Sequence, residues 1–223
     1  MKITQSENST PQLSLTVKAP IDTVWNALRQ RQKLAQWFGW NYEGLEAEIN
    51  DIYFTNAREE GATDTVRRSL AVNGDDTFIL LAQGDNTELQ LVRRPLDGTA
   101  EDNYYDTITE GWISFVEQLR FMLECKPDDT RKTIVTNQQL DKSVILEQLG
   151  ISDAHDGQVF DGSVEGIKLS GSVQFVTPQQ IGLLVNGWGP GLLIIQFSEN
   201  MQLLTAYEPE EETFRNLTKK WSA

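Results

Sequence analysis

LSLTVKAPIDTVWNALRQRQKLAQWFGW, residues 13–40, decides how this chain begins to fold. Leu13, Leu15, Val17 and Ala19 alternate with Ser14, Thr16 and Lys18. That period of two predicts a strand with one buried face. Pro20 ends the ladder, because it has no N–H to donate, and its fixed φ suits the start of a helix. Ile21, Val24, Trp25 and Leu28 then recur at helical spacing and make one apolar stripe. A second short helix is expected to hold Leu34, Trp37 and Phe38, with Gly39 where a left-handed cap is needed.

Downstream, residues 45–96 read as strands separated by turns. The expected strands are 45–49, 52–56, 65–72, 77–82 and 88–93. Asn73-Gly74-Asp75-Asp76 and Gly84-Asp85-Asn86 supply hairpin signals. Residues 107–124 are the clearest helix. Ile108, Trp112, Phe115, Val116, Leu119, Met122 and Leu123 share a broad apolar face, and Thr107 and Glu110 have capping-box spacing. The run from Cys125 to Thr130 breaks that pattern with a proline and charges, which places a boundary there. The expected domains are therefore 1–125 and 126–223.

The second half repeats the pattern in shorter form. A strand is expected at 132–136 and a helix at 141–149, with Gly150 as its cap. Strands follow at 166–169, 172–176, 181–185, 192–197 and 202–207. A final helix opens at Pro209 and Glu210–Glu212, carries Phe214, Leu217 and Trp221 on one side, and closes with Lys219 and Lys220. Acid at its start and base at its end both complement the helix dipole.

The 223 residues can bury a core as one large or two small domains. Hydrophobic residues make up 39% and charged residues 23%, the balance of a globular chain. No apolar run approaches the ~18 residues that a membrane helix needs. MKITQSENST at the N-terminus has no apolar core of a signal peptide. Cys125 is the only cysteine, so no intrachain disulfide forms. These features together predict a cytoplasmic location. The formal net charge of −14 repels phosphate, which argues against nucleic-acid and anionic-membrane partners. It serves solubility, or else attracts a basic protein.

APIDTVWNALRQRQKLAQWF resembles the opening of the SRPBCC (START-like) superfamily. The likeness is to homologues of the C-terminal domain of the activator of the heat-shock protein 90 ATPase. The matching positions are Ala19, Pro20, Val24, Trp25, Ala27, Leu28, Trp37 and Phe38, and on the later helix Gly111, Trp112, Leu119 and Leu123. Arg29-Gln30-Arg31-Gln32 replaces the family's usual Thr-Asp-Pro run. The resemblance covers residues 10–124. It implies an α+β helix-grip fold, a curved antiparallel sheet around one long helix. The remainder looks like a second, truncated helix-grip-like half. The resemblance also implies an elongated apolar cavity, lined here by Trp25, Trp37, Phe54, Leu80, Trp112, Phe115, Leu119 and Met122. Tyr53 is the alternative to Phe54 and Leu81 to Leu80, because a one-residue slip turns a strand over. Plain core packing accounts for the same residues.

Catalytic chemistry is thinly represented. His155, the only histidine, lies in the turn-like Ser-Asp-Ala-His-Asp-Gly stretch. With one His and one Cys, the usual zinc ligand sets cannot be assembled, and no metal or cofactor is expected. No G-x-S-x-G elbow is present. Cys125 follows a helix, whose negative end disfavours thiolate. Gly187-Trp188-Gly189-Pro190-Gly191 lacks the ending of a phosphate loop and reads as a tight turn, or as a gate over a cavity. The acidic runs sit in turns or at a helix start. The expected function is non-catalytic binding of a small apolar or amphipathic ligand. The alternatives are a co-chaperone-like or stress-related module with a protein partner, and a cavity enzyme. For the enzyme, Glu46, Glu48 and Glu88 are the acids to check, and a buried Asp, Glu or Tyr in the cavity would favour it. The sequence leaves the oligomeric state open.

Overall fold

The structure is a computed structural model. It describes residues 1–5, 11–72, 76–93, 107–125, 130–198 and 200–221, without the side chains of 3–5, 11, 12, 107 and 108. Most of the expected turn at 73–76, residues 126–129 of the boundary run and the Thr107 half of the capping box lie outside these. The chain divides into two units, Met1–Pro127 and Asp128–Ala223. Each is α+β with one six-stranded antiparallel sheet.

In the first unit, strands β1 (Lys2–Gln5) and β2 (Pro11–Val17) precede helices α1 (Ile21–Arg29), α2 (Arg31–Leu34) and α3 (Leu45–Asn50). A π-helical turn, Asp51–Thr55, continues α3. Strands β3 (Arg58–Glu60), β4 (Arg67–Val72), β5 (Asp76–Gln83) and β6 (Asn86–Val92) follow, then helix α4 (Thr107–Cys125). The sheet order is β1-β2-β6-β5-β4-β3. β2 thus closes on the last strand, with Leu13 opposite Leu91 and Leu15 opposite Leu89. All four of these leucines are buried. α4 packs on β2 and α1, and α1 packs on β5 and β6. A sheet that grips a long C-terminal helix is the helix-grip arrangement.

The opening segment folds as its periodicity predicts. Leu13, Leu15, Val17 and Ala19 are buried, and so are Ile21, Val24, Trp25 and Leu28. The second short helix is shorter than expected: α2 ends at Leu34 with Ala35 as its C-cap, Trp37 and Phe38 follow it, and Gly39 takes φ +56° beyond them without capping the helix.

Residues 45–55 correct the sequence reading. They form α3 and the π turn, where strands at 45–49 and 52–56 were expected. The cause is spacing. Leu45, Ile49 and Tyr53 are the buried residues, each four after the last, and Glu46, Ala47 and Glu48 between them are exposed. That is a helical stripe, in which the alternation of Ile52 and Phe54 has no part.

In the second unit, β7 (Arg131–Asn137) and α5 (Lys142–Gln148) precede β8 (Val159–Val164), β9 (Ile167–Val176), β10 (Gln180–Val185), β11 (Gly191–Gln196) and β12 (Met201–Tyr207). Helix α6 (Glu211–Trp221) closes it. The order β7-β12-β11-β10-β9-β8 again pairs the first strand with the last. The expected strands at 166–169 and 172–176 are one continuous β9, and β8 was not expected. Gly166 lies in the β8–β9 turn, with φ +72°, and does not begin a strand. Leu217 and Trp221 of α6 join the core built on these strands.

Asp141 is the N-cap of α5, not its first residue. Its carboxylate accepts from the backbone N–H of Ser143 (2.8 Å) and Val144 (3.1 Å). The Ser143 hydroxyl, first, and the Val144 N–H lower its pKa below the ordinary carboxylate value. The cap contribution is therefore complete above the unfolded pKa, about 3.9, and is lost as pH falls through the lower folded value. Asp141→Ala is expected to lower the melting temperature of unit 2 at neutral pH and to have a vanishing effect at the acid end, which a pH series of thermal melts measures.

Candidate functional site

Between sheet and helix in the first unit, aromatic rings touch in sequence. Trp37 meets Phe38 and Tyr53 edge-on, at centroid distances of 6.0 and 5.9 Å. Phe38 meets Tyr53 at 5.2 Å, Phe115 at 4.9 Å and Trp112 at 6.2 Å. Phe78 completes the group, 6.3 Å from Tyr53 and 5.4 Å from Trp112. The six rings come from four stretches: 37 and 38 follow α2, 53 lies in the π turn, 78 in β5, and 112 and 115 in α4. The Trp37 indole donates to the Ala27 carbonyl at 3.0 Å, and Gln118 of α4 donates to the Gly39 carbonyl at 3.2 Å. These bonds fix the Trp37–Gly39 corner against α1 and α4.

Two polar features border the ring group. The Trp112 indole donates to Asp76 Oδ2 at 2.7 Å, and the Arg93 guanidinium lies 3.4 Å from Asp76 Oδ1. Arg93 also donates to Thr109 Oγ1 at 2.6 Å. Asp76, Arg93 and Thr109 are all buried. The β5–β6 register explains their meeting: Thr77 faces Val92, so the next step along each strand sets Asp76 beside Arg93. The second is Tyr53. Its ring is fully buried and its hydroxyl has no hydrogen-bond partner among the described residues. Burial, and then the nearby charges of Glu48 and Asp76, push its pKa well above the ordinary phenol value. The hydroxyl therefore stays protonated and is a donor with nothing to donate to. Such a group costs about 1–3 kcal/mol, so a buried orphan needs an explanation.

No family model matches this chain, and no curated protein does. It is similar to solved structures. One is DynU16, from the dynemicin biosynthetic locus, at 16% identity and a TM-score of 0.34 over 95% of this chain and 93% of that one. Another is the di-domain ARO/CYC StfQ of the steffimycin biosynthetic pathway, at 10% identity and a TM-score of 0.36 over 94% and 88%. The di-domain ARO/CYC BexL of the BE-7585A pathway shares 11% identity, with a TM-score of 0.37 over 100% and 94%. The narrower likeness to the heat-shock-protein activator has no support among these. What the site can do rests on its own residues.

Of the residues expected to line a cavity, Trp37, Trp112 and Phe115 belong to the ring group. Leu80, Leu119 and Met122 are buried. Trp25 is buried elsewhere, 5.8 Å beneath the Arg68 guanidinium, which itself pairs with Asp22. Phe54 does not face inward. It is half-buried, with the guanidinium carbons of Arg29 and Arg31 at 4.9 and 3.9 Å from its ring centroid. Tyr53 takes the inward position, because the segment is helical and the assumed strand register does not apply. Arg29 also donates to the Tyr53 carbonyl at 2.6 Å, and Arg31 to Asn50 Oδ1 at 2.7 Å. Arg29 and Arg31 thus hold the π turn and the end of α3 from outside.

The remaining candidates are quiet. Glu46 and Glu48 are exposed on α3, and Glu48 accepts from the Tyr42 hydroxyl at 2.6 Å. That bond is the chief cause that raises Tyr42 to a pKa of about 12. Glu88 accepts from Ser14, Gln83 and Gln90. His155 is exposed in its loop. Cys125 has its pKa raised, first by desolvation and then by Glu124. No cluster of three metal-ligating side chains exists among the described residues, and no helix there is long and apolar enough to cross a membrane.

The Gly187–Gly191 run is a turn between β10 and β11. Gly187 and Gly189 take φ +85° and +73°, which lets the turn tuck Trp188 edge-on against Trp221 at 5.6 Å. Beside it lies a groove of about 370 Å³ between the β8–β9 turn and α6. Nothing in the sequence marks this groove, because its walls are a turn, a strand end and a helix face far apart along the chain.

Proposed function

We propose that unit 1 binds one small, largely apolar molecule between its sheet and α4, with Tyr53 as the polar anchor. The observation that carries this reading is the orphan Tyr53 hydroxyl inside a ring-lined interior. A ligand with a carbonyl or ether oxygen supplies the missing acceptor, and edge-on rings suit a flat apolar body. The anchor sits on the π turn that Arg29 and Arg31 hold from outside, which fixes where its hydroxyl points.

Native mass spectrometry of gently purified protein, with a screen of fatty acids, sterols and aromatics, tests the reading. Tyr53→Phe separates it from plain packing. Without ligand, the variant is expected to be as stable as the parent or more stable by about 1 kcal/mol, because a costly orphan is gone. With an oxygen-bearing ligand, affinity is expected to fall by up to about tenfold, the loss of one hydrogen bond. A parent protein that takes up nothing, or equal affinities for parent and variant, would contradict it.

The same hydroxyl supports a second reading as a cavity enzyme. Held neutral, it can donate to an oxyanion that develops on a bound carbonyl. Conversion of the bound molecule by the parent and not by Tyr53→Phe would decide for it.

A further inference from the structure

We infer a separate binding site in unit 2, the groove beside α6, for a small amphipathic carboxylate. Ile167, Trp188 and Leu217 give it an apolar floor of mostly buried side chains. Trp188 cannot easily yield, because Trp221 braces its ring edge-on. Lys168 of β9 and Lys220 of α6 stand at the groove from opposite sides, and both are exposed. Neither ammonium takes part in an ion pair among the described residues, in a chain of net charge −14 rich in carboxylates. Asn216 and Thr213, one and two turns before Lys220 on the same face of α6, add hydrogen-bonding groups.

Two free cations over an apolar floor complement a negative head on an apolar body. The groove, about 370 Å³, opens to solvent and takes a short chain laid along it. Decanoate is a medium-chain carboxylate of this kind and serves as the probe. A neutral ligand of the same length would leave the lysines unused.

Decanoate, decanol and decyltrimethylammonium, titrated into the whole chain, test the assignment. The readout is the Trp188 indole N–H resonance, assigned by its loss in Trp188→Phe, so that uptake by unit 1 is not counted. Decanoate is expected to shift this resonance saturably and the other two about tenfold more weakly. An exposed ion pair contributes about 0.2–1 kcal/mol, so Lys168→Gln with Lys220→Gln is expected to weaken decanoate by up to about tenfold and to leave decanol unchanged. Added salt should weaken decanoate in the parent only. Tyr53→Phe should change none of these values, which separates this site from the one in unit 1. No saturable shift with millimolar decanoate would overturn the inference. So would equal binding of decanol or of the cationic probe, or undiminished decanoate binding by the double variant.

Discussion

Trp112→Ala is expected to destabilise unit 1 by about 3–5 kcal/mol, the cost of removing a large ring from a packed core. Trp112 sits where three constraints meet. Its ring touches Phe38, Phe78 and Phe115, and its indole N–H donates to buried Asp76. Truncation leaves a cavity among rings already held by their other neighbours, Tyr53 and Trp37, and takes one donor from Asp76. Trp112→Phe separates the two effects. It keeps most of the packing but loses the N–H, so its cost is expected nearer the 1–3 kcal/mol of one unsatisfied buried acceptor. Chemical denaturation followed by hydrogen exchange in residues 1–125 measures both, and keeps the unit 1 transition apart from that of unit 2. A Trp112→Ala cost below about 1 kcal/mol would mean that the rings do not form the packed group described.

Asp76→Ala is expected to cost a comparable amount, about 3–5 kcal/mol, because it removes one partner of a buried ion pair. Asp76 lies between the Trp112 indole and the Arg93 guanidinium, and Arg93 is buried with it. Without the carboxylate, a guanidinium is left buried beside Thr109 with its charge uncompensated by Asp76. Asp76→Asn keeps an oxygen for the indole while dropping the charge, and is expected to lie between parent and alanine variant. A double-mutant cycle of Asp76→Ala with Trp112→Phe should show coupling, since each substitution breaks the same bond. Additive costs would contradict that shared bond.

Much of the first unit could be read from its periodicities. The alternation at 13–19 and the helical stripes at 21–28 and 112–123 each have enough buried positions to fix a face. Trp37 and Trp112 were placed in the interior for that reason. Tyr53 and Phe54 were not resolved, because a strand was assumed where Leu45, Ile49 and Tyr53 run as a helical stripe. One wrong period exchanged the inward-facing Tyr53 for a residue stacked beneath two arginines. The Asp76–Arg93 pair could not be foreseen, because it depends on the β5–β6 register; locally Asp76 reads only as a turn residue and Arg93 only as a strand end. The Arg29-Gln30-Arg31 run was visible as a departure but not as a grip on the π turn, since its partners lie 19 and 24 residues downstream. In the second unit, strand spacing survived with small shifts. β8 was missed because Val159–Val164 alternates only weakly, with exposed Val159 at one end and Gly162 in the middle.

The most direct test of ligand binding in unit 1 is an electron-density map of gently purified protein, inspected around the Tyr53 hydroxyl. Density for a bound molecule with an acceptor oxygen about 2.7 Å from that hydroxyl, flanked by Trp37, Phe38 and Trp112, is the predicted result. Rings packed as described around an interior that stays empty, in crystals of parent protein exposed to the screened ligands, would contradict it.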